Sequence, residues 1–156
     1  MERSIILAVD VAADSRRVLE AVSTTEGQRG FWTADCDVSE TRARFGFPAA
    51  PVDLEVDVTT EPDKLVRMRV TSGFPFWEGS TWEWELGDAA RAETGTGVLF
   101  RHYGFADGYA ESDLGYTAQT WAMILARLEA YAESGTAQPY FPASGEEAWP
   151  PVQGSS

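Results

Sequence analysis

Histidine, cysteine and lysine each occur once in this chain, as His102, Cys36 and Lys64. One His and one Cys leave no spaced set of ligands for a structural zinc site. A lone cysteine cannot close an intrachain disulfide, which fits a reducing compartment and sets the expectation of a cytoplasmic protein with a small buried residue at Cys36. Long apolar runs are also missing, since no stretch approaches the roughly 18 residues a membrane-spanning helix needs. The N-terminal run is interrupted by Asp10 and lacks a signal-peptide cleavage pattern. Bases are scarce: 12 Lys and Arg stand against 25 Asp and Glu, a formal net charge of -13. Such a surface repels phosphate backbones and anionic bilayers, so neither nucleic acid nor membrane insertion is expected. Gly95, Gly97, Gly104 and Gly108 match neither a phosphate loop nor a dinucleotide fingerprint, and no cofactor is expected.

Aromatic residues, by contrast, are plentiful: six Trp, eight Phe and five Tyr. They read either as large core residues or as the lining of a cavity. The longest periodic stretch is residues 113–133, where Leu114, Ala118, Trp121, Leu125, Leu128 and Ala132 recur at spacings of three and four. That spacing predicts an amphipathic helix, with Asp113 as its N-cap and Gly135 as its left-handed stop.

Upstream, the period is mostly that of strands. Residues 4–11 alternate as a first strand, Asp14 caps a short helix over 15–22, and Thr25 with Gln28 resembles a capping box for a second one ending near Gly30. A meander of strands follows over 31–38 (carrying Trp32), 41–47 (with Phe45 and Phe47 on one face), 52–58, 65–71, 80–86 and 96–104. Val52, Leu54, Val56 and Val58 against Asp53, Glu55 and Asp57 imply a sheet with one buried and one wet face. A three-residue loop at Glu61-Pro62-Asp63 would set Asp57 against Arg67, Glu55 against Arg69, Val56 against Met68 and Val58 against Val66. Trp82, Trp84 and Leu86 share a face, with Glu83 and Glu85 on the solvated one; Val98, Phe100 and His102 share another. Residues 1–135 are expected to form one domain, followed by a Pro-rich tail over 136–156 in which Tyr140, Phe141 and Trp149 pin the chain to the body.

This order of elements carries a family likeness. The stretch Ala12 to Val22 (AADSRRVLEAV) opening the first helix, the pair Phe31-Trp32 closing the second short helix, the turn Glu61-Pro62-Asp63-Lys64-Leu65-Val66, then Gly95-Thr96, Phe100, His102 and Gly104, and finally Trp121, Leu125 and Leu128 span nearly the whole chain. In that arrangement the chain resembles the START/Bet v 1-like (SRPBCC) superfamily, and within it the small bacterial proteins related to the activator of the 90-kDa heat-shock-protein ATPase. The resemblance implies an α+β helix-grip fold: a curved antiparallel sheet of six to seven strands wrapped around a long C-terminal helix. It also implies a concavity between sheet and helix that holds a small apolar or aromatic ligand. Candidates to line it are Trp32, Phe45, Phe47, Leu54, Val56, Met68, Trp82, Trp84, Phe100, His102, Trp121 and Leu125. The superfamily also implies two alternatives, a polyketide cyclase or aromatase using the same concavity and an interaction domain with a chaperone partner.

His102 is the candidate catalytic residue. On the inner side beside Phe100, a neutral imidazole could bond a ligand carbonyl or move a proton; the competing reading is a core histidine satisfied by its neighbours. Arg44 and Tyr103 are weaker candidates, since strand parity leaves their facing open. Asp35 and Asp37 share a strand face and read as solvated acids rather than metal ligands.

Overall fold

Alternation and helical spacing resolve, in a computed structural model describing residues 3–48 and 50–143, into one antiparallel sheet and three helices. In chain order the elements are β1 (Ser4–Val11), α1 (Ser15–Ser23), α2 (Thr25–Phe31), β2 (Cys36–Val38), β3 (Arg42–Phe45), β4 (Leu54–Glu61), β5 (Leu65–Ser72), β6 (Thr81–Asp88), β7 (Thr96–Tyr103) and α3 (Glu111–Ser134). The seven strands lie in the order β1-β7-β6-β5-β4-β3-β2, so the first strand closes onto the last and the rest form a meander. The architecture is the α+β helix grip expected. At 1.5 Å per residue, α3 runs about 36 Å. It turns Trp121, Ile124, Leu125, Leu128 and Ala132 inward, onto the core built by Trp82, Trp84, Val98 and Phe100 from the sheet. No described helix is long and apolar enough to cross a membrane.

Local chemistry sets the helix ends. Asp14 accepts from the Arg17 amide and starts α1. The cap of α2 is Thr24, which accepts from the Gly27 amide, not the expected Thr25. Thr25 instead ties α2 to β2 through both polar groups of Val38, and the Gln28 side chain donates to Val22 O across the helix junction. The start of α3 lies at Ala110 without a side-chain cap, earlier than the expected Asp113. Its end is as expected, at Gly135 with φ 78°.

Two strand expectations are corrected. Residues 31–35 form no strand: Phe31 ends α2, Trp32 is its C-cap, Thr33 makes an isolated bridge with Phe141, and only Cys36–Val38 pair as β2. The β4–β5 hairpin is real, but its register is two residues off the expected one. Asp57 faces Arg69, Thr59 faces Arg67 and Val58 faces Met68, with an irregularity between Glu55 and Val56. A slip of two keeps side chains on the same faces, so the buried set is unchanged. After α3 the chain returns along the end of α2: Gln138, Tyr140 and Phe141 donate their amides to the carbonyls of Gly30, Phe31 and Trp32. Trp149 lies outside the described residues.

The loop between β6 and β7 is held by one carboxylate. Asp10 on β1 accepts from the amides of Ala90, Arg91 and Ala92 at 2.8, 2.8 and 2.9 Å. These bonds, Ala90 first, hold the Asp10 carboxyl below its ordinary range. Asp10→Ala is therefore expected to speed amide exchange at residues 90–92 while the β1–β7 ladder stays protected. Hydrogen exchange checks this, and unchanged rates at those amides would show that the loop holds itself.

Candidate functional site

The inner faces of β6 and β7 carry Trp82, Trp84, Phe100 and His102, all fully buried. Trp32 reaches the same space from the end of α2 and Phe45 from β3. Trp121, from the middle of α3, sits among them. Its ring centroid is 4.5 Å from Phe100, 5.1 Å from Trp32, 5.6 Å from Trp82 and 6.0 Å from Trp84. At such separations the rings touch, so the heart of the concavity is occupied by the protein's own aromatic side chains. Leu54, Val56, Met68 and Leu125 are buried in the same cluster, and Phe47 packs half-buried against Trp32 at its rim. The twelve residues singled out above thus share one core region.

His102 lies wholly inside it, and both ring nitrogens are engaged. Trp121 Nε1 donates to His102 Nδ1 at 3.1 Å, and His102 Nε2 lies 3.0 Å from Ser80 Oγ. An indole nitrogen only donates, so Nδ1 must be the bare nitrogen and Nε2 must carry the proton and give it to Ser80. Burial pushes the imidazole down to about 3, which keeps it neutral. The pair looks like a serine–histidine dyad but has the opposite polarity. In a hydrolase triad a carboxylate accepts from Nδ1–H and frees Nε2 to take the serine proton. Here Trp121 imposes the other tautomer, so Ser80 is not activated as a nucleophile.

One ring closes the concavity from the side of the loops. Trp77 belongs to a short 3-10 turn, Pro75–Trp77, and its centroid lies 4.7 Å from His102 and 6.3 Å from Trp121, nearly parallel to the latter. Its Nε1 donates to Tyr109 Oη at 3.2 Å, and that oxygen is 2.6 Å from Thr117 Oγ1 on α3. Phe105 stacks between, 4.2 Å from His102 and 5.2 Å from Tyr109. Trp77, Phe105, Tyr109, Thr117 and Ser80 are not among the residues the sequence pattern singles out. The visible signal was the run Gly73-Phe74-Pro75-Phe76-Trp77, too apolar for an ordinary surface loop.

Beneath this layer, two buried donors stand out. Trp82 Nε1 and Trp84 Nε1 have no acceptor among the described residues. A buried donor left unpaired costs about 1–3 kcal/mol, and native cores contain few of them.

The remaining candidates lie elsewhere. Arg44 is on the outer face, bonded to Asp35, Asp37 and Asp53 at 2.9, 2.8 and 3.3 Å, and that pairing, led by Asp35, raises its pKa. Glu83 is not solvated as expected but buried on the outer face, 3.2 Å from Arg67, and it also interacts with Tyr103. Cys36 is buried, and desolvation pushes its thiol up to about 11, far from reactive. Among the described residues no cluster of His, Cys, Asp and Glu could hold a metal. An open groove of about 590 Å³ lies at the other end of β7, lined in part by Asp14, Asp63, Asp88 and Thr96.

No family model and no curated protein matches the chain. Solved structures do. The Aha1 dimer from Colwellia psychrerythraea is similar with a TM-score of 0.71 at 22% identity, over 85% of this chain and 98% of that one. A Staphylococcus saprophyticus protein gives 0.67 at 19%, over 86% and 95%. DynU16, a putative protein in the dynemicin biosynthetic locus, gives 0.69 at 19%, over 89% of this chain and 50% of that one. These structures share the helix-grip architecture described above, a curved antiparallel sheet with a long C-terminal helix packed on it. At these identities the likeness concerns the fold alone, and in this chain the grip between sheet and α3 is where the aromatic cluster, His102 and Trp77 meet.

Proposed function

We propose that the chain is a small-molecule binding module, taking an apolar or aromatic ligand between the sheet and α3 when the Trp77 side chain swings out. The observation that carries this reading is the mounting of Trp77. Its turn is exposed at Pro75, Phe76 and Glu78 and lies between Gly73, φ 134°, and Gly79, φ 82°. Both angles fall where other residues rarely go, so the glycines shape a short turn whose backbone is held by bonds from Gly79 N to Val70 O and Ala106 N to Phe76 O, leaving the side chain as the part free to move. One hydrogen bond to Tyr109 and contacts between rings hold the indole in place. Displacing it would uncover His102 and the face of Trp121, an apolar surface with few polar groups, which is the usual character of a small-molecule site.

The cyclase alternative would ask His102 to exchange a proton within the same space. Its depressed pKa and saturated nitrogens weigh against that role and favour binding without catalysis. The test is native mass spectrometry of freshly purified protein, followed by melting of the wild type and of Trp77→Ala with the hydrocarbon indane. A co-purifying small molecule, or a melting temperature that indane raises more in Trp77→Ala than in wild type, is the expected result. If the protein is consistently empty and indane stabilises neither form, the reading fails. Capture of the chain by an immobilised chaperone ATPase in that case would support an interaction domain instead.

A further inference from the structure

We infer that the ligand of this concavity carries a hydrogen-bond acceptor, a ketone, quinone or ester oxygen, that binds the buried indole N–H groups of Trp82 and Trp84; this rests on the binding reading above. Both side chains are fully buried on the inner face of β6, two residues apart and so on the same side of the sheet. Neither Nε1 has an acceptor among the described residues. An indole nitrogen has a proton to give and no lone pair to offer, so only an acceptor satisfies it.

A third group nearby has the same polarity. Because Nε2 of His102 gives its proton to Ser80 Oγ, the Ser80 hydroxyl keeps its own proton to donate. Ser80 is fully buried, and His102 lies 5.7 Å from Trp82 between ring centroids. The polar groups of this region therefore share one sense. Trp121 Nε1 is spent on His102 Nδ1, the imidazole is held neutral, and what is left over is donors. A hydrocarbon could fill the space but would leave these protons unpaired. A hydroxyl-only ligand would be a weaker match than a carbonyl, whose two lone pairs can serve two donors at once.

The experiment compares 1-indanone with indane, the same bicyclic skeleton with and without a carbonyl, against wild type and the variants Trp82→Phe and Trp84→Phe. The readouts are affinity and the indole N–H resonances, assigned by the two variants. The ketone is expected to bind about tenfold more tightly than the hydrocarbon. It is also expected to move the Trp82 or Trp84 indole proton downfield, as acceptance of a hydrogen bond does. In the variant lacking the shifted indole, the preference of the ketone over indane should shrink, with circular dichroism showing that the variant is folded. Equal affinities, with both indole resonances unmoved by the ketone, would overturn the acceptor inference and leave the binding reading standing. Binding of neither compound would overturn both.

Discussion

Replacing Trp121 by alanine is expected to remove most of the stability of the fold. The residue is 2% exposed and its ring touches Trp32, Trp82, Trp84 and Phe100 at once. Truncating a buried Trp to Ala costs about 3–5 kcal/mol, and collapse around it is limited here because its neighbours are themselves rigid rings. The loss also strips His102 Nδ1 of its donor, about 1–3 kcal/mol more for a buried acceptor left unpaired. A domain of this kind is stable by only about 5–15 kcal/mol, so the variant should unfold at a much lower urea concentration or not fold at all. Trp121→Phe separates the two contributions. It keeps part of the ring packing but lacks the donor and the second ring, so its loss should fall between the hydrogen-bond share and that of Trp121→Ala. Equilibrium unfolding followed by circular dichroism checks both, and a wild-type midpoint for Trp121→Ala would mean that the rings do not bear on α3 as their distances indicate.

Much of this architecture was legible in the chain because parity is a local property. Once Trp82 and Trp84, or Phe100 and His102, stand two apart in a strand, they must share a face, and all four are buried together. Register is not local in that sense. Matching apolar to apolar and charge to charge is equally good after a slip of two, so the expected pairing of Asp57 with Arg67 gave way to Asp57 with Arg69. Trp32 followed the opposite course. Alternation alone put it in a strand, because an apolar pair ahead of an alternating stretch fits the end of a helix as well as the start of a strand, whereas the family resemblance placed Phe31-Trp32 at the close of the second short helix, where it lies.

The site was half legible for a related reason. His102 could be placed on the inner face, but its two partners are 22 and 19 residues away along the chain, on a strand start and on α3. Only the fold brings Ser80 and Trp121 to opposite nitrogens, and only the pair of bonds together decides the tautomer. The sequence does not mark Trp77, because a 3-10 turn has no period long enough to announce which side it buries. Of the two readings of the aromatics, core or lining, the contacts of Trp121 give the first for that ring: it packs against Phe100, Trp32, Trp82 and Trp84.

His102 also makes a sharp prediction for pH. Its folded pKa is about 3, below the ordinary 6.5 that the unfolded chain would show. Between those values the unfolded state binds a proton that the folded state refuses, so stability falls as the solution is acidified. The contribution is fully present above about pH 6.5, declines by roughly 1.4 kcal/mol for each pH unit below it, and is exhausted near the folded pKa. Carboxylates titrate in the lower part of the same window, so the comparison must be with a chain that differs only at this position. His102→Gln serves, since its amide oxygen can accept from Trp121 and its NH2 can donate to Ser80 while the side chain does not titrate. Urea unfolding of the two proteins should show the wild type losing about 2 kcal/mol more than the variant between about pH 7 and pH 5. Parallel losses would mean that the imidazole is protonated in the folded protein over that range. The Nε2–H to Ser80 arrangement would then be replaced by a charged histidine donating from both nitrogens, a state in which the indole of Trp121 could no longer be its partner.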